Sequence, residues 1–390
     1  MACVVQKFGG TSVATLERIQ HAAKIVAETY KRKSTAVVVS AMAGITSKFV
    51  MYARELNSSE GDPEYDAVVS SGEIVAAGLF AISLKNLGIK ARSYTGWQVP
   101  IYTNNTYGSA IIQEVDVCNL EKDLQAGIIP VICGFQGISS ENRVTTLSRG
   151  GSDLTAVAIA AALKADVCEI YSDVNGLYTV DPNVYPKGIR LDQIHYNAIK
   201  EMAAQGAKVL QEQAIDYAIE KKVKILLASS FVDVGGTIVD NQCKEKKYCG
   251  IAIIRDMLQF RIHHNMNSSE YITNILQKYR IRCEILKESA DKLSILVDKR
   301  KTQLMLAILN AEKQISSVKQ EMIRKHFSCV SIAGKGITAE DCLRITALLK
   351  NSKIEIFYCS MRDYSISLVV SADCLMKAIE VLHKGCGFEK

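Results

Sequence analysis

The run Lys7-Phe8-Gly9-Gly10-Thr11-Ser12 sets a lysine at the end of an apolar stretch, two glycines at a turn, and two hydroxyls where a helical pattern begins. Glycines let a backbone approach phosphate closely, and a helix N-terminus offers free N–H groups. A lysine can follow the charge of a transferring phosphoryl group. The spacing is not G-x-x-x-x-G-K-[ST], so the P-loop class is not supported. A second loop, Arg149-Gly150-Gly151-Ser152-Asp153, is also rich in available N–H groups and precedes a helical pattern beginning near Leu154. Alone it reads equally well as a capped turn. Glu73 falls in the first turn of a helical pattern, where the macrodipole favours an acid in any protein. Asp173-Val174-Asn175-Gly176 is by itself an ordinary turn sequence.

These residues need a frame, and the first 240 or so alternate strand-like runs with helical patterns, which predicts an α/β fold with a mostly parallel sheet. Buried strands are expected over 3–8, 36–40, 128–134 and 167–172, with helices over 15–30 and 71–87. Glycine turns follow three of these strands, at Gly9-Gly10, Gly44 and Gly134 to Gly137, where open α/β sheets bind ligands. After Asn241 the pattern changes. Residues 241–248 read as a hydrophilic linker, followed by a weak repeat of two βαββα units. In the first, a strand at 258–263 precedes a helix at 268–279, strands at 283–286 and 293–298, and a helix from 302. The second has a strand at 328–333, a helix at 338–350, strands at 353–358 and 364–370, and a helix from 373.

With 390 residues, more than one domain is expected. The net charge of +6 comes from 47 basic and 41 acidic residues spread along the chain, which argues for solvated surface rather than a nucleic-acid patch. The sequence shows no apolar run near the ~18 residues of a membrane span and no signal peptide, so a cytoplasmic protein is expected. The 12 cysteines are scattered singly, as reduced structural thiols. His263-His264 is not read as a metal pair, since adjacent strand residues face opposite ways.

The blocks at residues 7–13 (KFGGTSV), 39–42, 71–73, 93–96, 134–137, 149–153, 173–182 and 208–210, taken in order, resemble those of aspartate kinases over residues 3 to about 240. The resemblance implies an αβα sandwich of the amino-acid kinase type that transfers the γ-phosphoryl of ATP to the side-chain carboxylate of aspartate. This is the entry step to lysine, diaminopimelate, threonine and methionine biosynthesis. It implies that Lys7, Gly9, Gly10 and Ser40 face the phosphates, with Asp153 beside Lys7. Thr46, Glu73, Arg149, Gly150, Gly151 and Ser152 would serve the amino-acid substrate, an arginine gripping a carboxylate at two points. Ser172, Asp173, Tyr178 and Lys208 would hold the nucleotide, with Mg2+ arriving on ATP and no protein metal cage.

The chain departs from the pattern at Trp97, at Ser148 (commonly glycine), at Asn183 (frequently arginine), and at Gln211-Glu212-Gln213, which lacks a basic residue often found there. The C-terminal repeat resembles ACT domains, giving expected boundaries of 1–240 for the catalytic domain, 241–248 for the linker, and 249–323 and 324–390 for two ACT-like domains. A homodimer or dimer-based oligomer with lysine or threonine as effector is implied, although 265–269 and 359–363 depart from the usual ACT loops. Two alternatives remain: a related kinase acting on glutamate, N-acetylglutamate or a nucleoside monophosphate, and a non-catalytic amino-acid-binding regulator.

Overall fold

The computed structural model describes residues 2–148, 150–207, 210–232, 235–264, 270–279, 281–289, 291–313, 315–320 and 326–389. The chain forms two compact units, one of residues 1–177, 190–200 and 208–244, the other of 178–189, 201–207 and 245–390.

In chain order the elements up to residue 239 are β1 (Cys3–Phe8), α1 (Leu16–Tyr30), β2 (Ser34–Val39), α2 (Ile45–Glu55), α3 (Pro63–Val69), α4 (Ser71–Asn86), β3 (Ala91–Tyr94), β4 (Ile101–Thr103), β5 (Ile112–Val115), α5 (Cys118–Gln125), β6 (Ile129–Cys133), β7 (Gln136–Ile138), β8 (Val144–Thr146), α6 (Gly151–Ala162), β9 (Val167–Ser172), β10 (Gln193–Ile194), α7 (Tyr196–Ala204), α8 (Glu212–Lys221), β11 (Ile225–Ser229) and β12 (Thr237–Val239). The main sheet runs β10-β12-β11-β9-β1-β2-β6-β3. Strands β11, β9, β1, β2, β6 and β3 are parallel. Their C-terminal ends therefore share one edge, and the loops after β1, β2, β6 and β9 emerge there together. The strands are near-continuous apolar runs because both faces are covered.

One face packs against α1 and α4, through Phe8, Val37, Val39, Val131, Ile19, Ala22, Ala77 and Phe80. Side chains alternate along a strand, so with Phe8 facing this cluster Lys7 faces the opposite side, where α6 packs on β1. The segment 63–86, which contains α3 and α4, is long and apolar enough to cross a membrane, contrary to the reading of the sequence as lacking such a run; Ala76, Ala77, Phe80 and Leu84 of α4 are nevertheless fully buried among the residues of this unit.

The remaining elements are β13 (Gly250–His264), α9 (Glu270–Lys278), β14 (Cys283–Ser289), β15 (Lys292–Asp298), α10 (Thr302–Ala311), β16 (Ile315–Gln320), β17 (Phe327–Ala333), α11 (Ala339–Asn351), β18 (Ile356–Arg362), β19 (Ser365–Ser371) and α12 (Leu375–Gly385). The expected order of both βαββα copies is present, with two differences. Strand β13 starts eight residues earlier than expected, and β16 was not anticipated. The first part of β13 pairs with β17 of the second copy and its later part with β15 and β16, so the copies share one antiparallel sheet, β14-β15-β13-β17-β19-β18. Phe260, Ile262 and Leu293 pack against Ile272, Leu276, Met305 and Leu309 of α9 and α10. Val330, Ile332 and Leu368 pack against Ile345, Leu349, Ile379 and Leu382 of α11 and α12, a core that also takes in Val180 and Tyr185 from the 178–189 segment.

Candidate functional site

Lys7 is the last residue but one of β1, in the middle of the parallel sheet. Its ammonium lies 2.6 Å from Asp153 in the first turn of α6, with both side chains largely buried. Gly9 follows, its N–H donating to Tyr171 O of β9 at 3.1 Å; a Cβ on Gly9 would stand 3.4 Å from Lys7 Nζ. Gly10 is held more tightly, since a Cβ there would meet Ala41 O at 3.0 Å. The Gly9-Gly10 turn thus lies between the end of β9 and the loop after β2, with Lys7 Nζ beside it. Ser40 begins the loop after β2, its N–H bonded to Phe8 O at 3.1 Å. Ser12 is buried and accepts from Ser230 Oγ at 2.7 Å, tying the glycine turn to the segment after β11.

Glu73 stands in the first turn of α4, 3% exposed. Its Oε1 accepts from Ala41 N–H at 3.0 Å, while Oε2 is buried and finds no hydrogen-bond partner among the described residues. Burial raises its pKa to about 7, only partly opposed by the Ala41 N–H. The bland reading of this residue, an acid at a helix start, is true of its position and leaves one carboxylate oxygen unexplained. Thr46 is the second residue of α2, half-buried, in the element that follows the Ser40–Gly44 loop.

Gly150 adopts φ +88° at the start of α6, a left-handed conformation that favours glycine. Gly151 and Ser152 are buried in the first turn, and Gly134 is held so close to Ser152 that a Cβ on it would fall 2.6 Å from Ser152 Cβ and Oγ. Thr155 completes this junction: its hydroxyl donates to Gly151 O and accepts Phe135 N–H, both at 3.0 Å, where Phe135 takes φ +70°. The sequence reading passed over Thr155 and Ser230. The signal for Thr155 was a hydroxyl within the apolar run Leu154 to Ala162, placed to bond the carbonyl four residues back.

On the β9 side, Ser172 Oγ accepts Val174 N–H and Ser172 O accepts Ser230 N–H, while Asp173 is exposed. Tyr178 belongs to the second compact unit and is half-buried there. Arg149 and Lys208 lie outside the described residues. Lys7, Gly9, Gly10, Ser40, Glu73, Gly151, Ser152, Asp153 and Ser172 are thus gathered at one sheet edge or in the loops that touch it. Among the described residues, no group of three or more His, Cys, Asp or Glu could hold a metal ion. The 12 cysteines are free, and Cys133, Cys168 and Cys329 are buried.

Residues 2–229 match the model of the amino acid kinase family. The chain is 35% identical over 395 residues to an aspartokinase of Rickettsia felis, covering 97% of this chain and 98% of that one. Its fold is similar to that of E. coli aspartokinase III in complex with aspartate and ADP in the R-state, with a TM-score of 0.80 and 25% identity over 99% of this chain and 100% of that one. The T-state of that enzyme, in complex with lysine and aspartate, gives 0.76 and 25%, covering 98% and 99%.

Proposed function

From a chain that belongs to the amino acid kinase family, and within it to the aspartokinases, we infer an ATP-dependent kinase that phosphorylates the side-chain carboxylate of L-aspartate. The observation that carries this reading is the buried Lys7–Asp153 pair beside the glycine turn, together with the unpaired carboxylate oxygen of Glu73.

Phosphoryl transfer needs positioning and charge stabilisation more than a protein nucleophile. The aspartate carboxylate is already ionised at neutral pH and attacks the γ-phosphorus itself; the bond to the β-phosphate oxygen breaks and ADP leaves. Lys7 follows the charge shifting onto the transferring group and the leaving oxygen, and Asp153 holds the ammonium at the end of β1. Gly9, Gly10 and Ser40 line the phosphate end. Glu73 receives the substrate ammonium on its free oxygen, with Thr46, Gly150, Gly151 and Ser152 around the amino acid and Arg149 clasping a carboxylate. Ser172 and Asp173 take the ribose side of the nucleotide, with Tyr178 along the base and Lys208 toward phosphate. Asp153 would help hold a nucleotide-bound magnesium, which would supply neutralisation of the phosphate charge.

The product, an acyl phosphate, suits the first step of lysine, threonine and methionine biosynthesis. Residues 249–323 and 324–390 are proposed as ACT-like sensing domains joined through the linker 241–248 to the catalytic region. The lysine complex of the E. coli enzyme supports lysine as the effector to test first. Purified protein with ATP, magnesium, hydroxylamine and aspartate should yield aspartyl hydroxamate; the same mixture with glutamate should not.

A further inference from the structure

Three polar side chains that phosphoryl transfer does not use meet behind the entry to α6. Ser148 Oγ donates to Gln213 Oε1 at 2.5 Å and accepts from Gln211 Nε2 at 2.7 Å. The same amide nitrogen also lies 3.0 Å from Gln213 Oε1. The Ser148 hydroxyl and the Gln211 amide thus close a ring on Gln213 Oε1, within the donor count of serine and glutamine. Gln211 is the residue before α8 and Gln213 lies in its first turn. The ring joins two loops more than sixty residues apart in sequence without any formal charge, so salt does not screen it as it would an ion pair.

The ring connects to the reacting end through short backbone steps. Ser148 O accepts Gly151 N–H at 2.8 Å, and Gly150 O accepts Asp153 N–H at 3.0 Å. Between them Gly150, at φ +88°, brings its backbone so close to Gln211 that an added Cβ would lie 3.3 Å from Gln211 Cβ. Asp153 then holds Lys7 at 2.6 Å. Ser148 and Gln213 are two of the positions at which this chain departs from the resembled pattern, and here they share a hydrogen bond.

We propose that Ser148, Gln211 and Gln213 are positioning residues: a neutral latch that ties the entry of α6 to α8 and thereby fixes Asp153 and, through it, Lys7. The proposal rests on the kinase reading given above. Small displacements of a catalytic group cost rate steeply, so Ser148→Ala and Gln213→Ala should each lower kcat on the order of tenfold at saturating ATP and aspartate. Because the two side chains act as one unit, the double variant should be no slower than the slower single variant. Gln213→Glu keeps the acceptor for both donors and should restore most of the rate.

The test is the hydroxamate assay on the full chain, with melting temperature read in parallel. A loss of kcat with unchanged melting temperature, non-additive in the double variant and rescued by Gln213→Glu, supports the latch. Unchanged kcat in the single variants, or losses that multiply in the double, would overturn it while leaving the kinase reading intact. A silent wild-type protein would overturn the kinase reading, and the latch with it.

Discussion

Lys7 carries the largest share of the proposed chemistry at the scale of single residues. Its removal should cost ~3–4 kcal/mol of transition-state stabilisation, the usual loss for one preorganised electrostatic contact. Lys7→Ala is therefore expected to lower kcat by two orders of magnitude or more with the circular dichroism of the folded protein retained, and a folded variant with near-normal kcat would remove Lys7 from this role. Glu73 makes a pH prediction. Its pKa is raised to about 7 by burial, and only the ionised form can receive an ammonium. The apparent KM for aspartate should thus rise as pH falls through about 7, while that for ATP stays level. The stability sign is the opposite: a raised pKa favours folding below the ordinary carboxylate value of 4.5 and loses that contribution as pH climbs to about 7. Glu73→Gln should accordingly raise the melting temperature at pH 8, by an amount equivalent to at most roughly 3 kcal/mol, and abolish the pH dependence of KM. The grouping of Lys7, Gly9 and Gly10 was legible because they are neighbours in sequence, whereas the place of Asp153 beside Lys7 was implied only by the resemblance to aspartate kinases. The hydroxyls of Ser230 and Thr155 were not, since their roles depend on partners 218 and 20 residues away.

Elements place these residues by two simple rules: parallel strands end together, and side chains alternate across a strand. Strand β1 puts Phe8 into the apolar cluster under α1 and α4 and so turns Lys7 toward α6. The α6 entry is a tight junction of this frame. Gly134→Ala would drive a methyl to 2.6 Å from Ser152, which the helix can relieve only by moving away. Overpacking of this kind typically costs about 1–3 kcal/mol, so this variant should melt lower and turn over more slowly, whereas a normal melting temperature and rate would show the junction to be soft. The main strands and helices of the sheet were readable because long apolar runs bounded by glycine leave little choice of period or boundary. Strand β13 was not, because Arg255-Asp256 interrupts the apolar pattern just before Leu258 and hides its continuity with residues 250–254. Nor was β16, whose polar composition, Ile315-Ser316-Ser317-Val318-Lys319-Gln320, reads as loop until its pairing with β13 is seen.

In the whole molecule, the second unit's core depends on chain that precedes it in sequence. Val180 and Tyr185 are buried against Val330, Ile332 and Ile379, so a truncation after Lys244 would strip them of their cover. Such a fragment is expected to bind hydrophobic dyes and aggregate; clean, soluble behaviour would show that segment to be dispensable. Assembly and regulation therefore belong to tests on the full chain, which should sediment as a dimer or a multiple of dimers. Lysine or threonine can slow the reaction only by binding an inactive arrangement more tightly, with a coupling of ~1–3 kcal/mol as the usual range. Inhibition kinetics with each amino acid will show which, if either, does so. All of this presupposes the activity, and the measurement that tests it most directly is hydroxamate formation by the purified full-length protein with ATP, magnesium and hydroxylamine, supplied in turn with aspartate, glutamate and N-acetylglutamate. Aspartyl hydroxamate that appears with wild type and is lost in Lys7→Ala is the predicted result; a product from another acid only, or none from any, would contradict it.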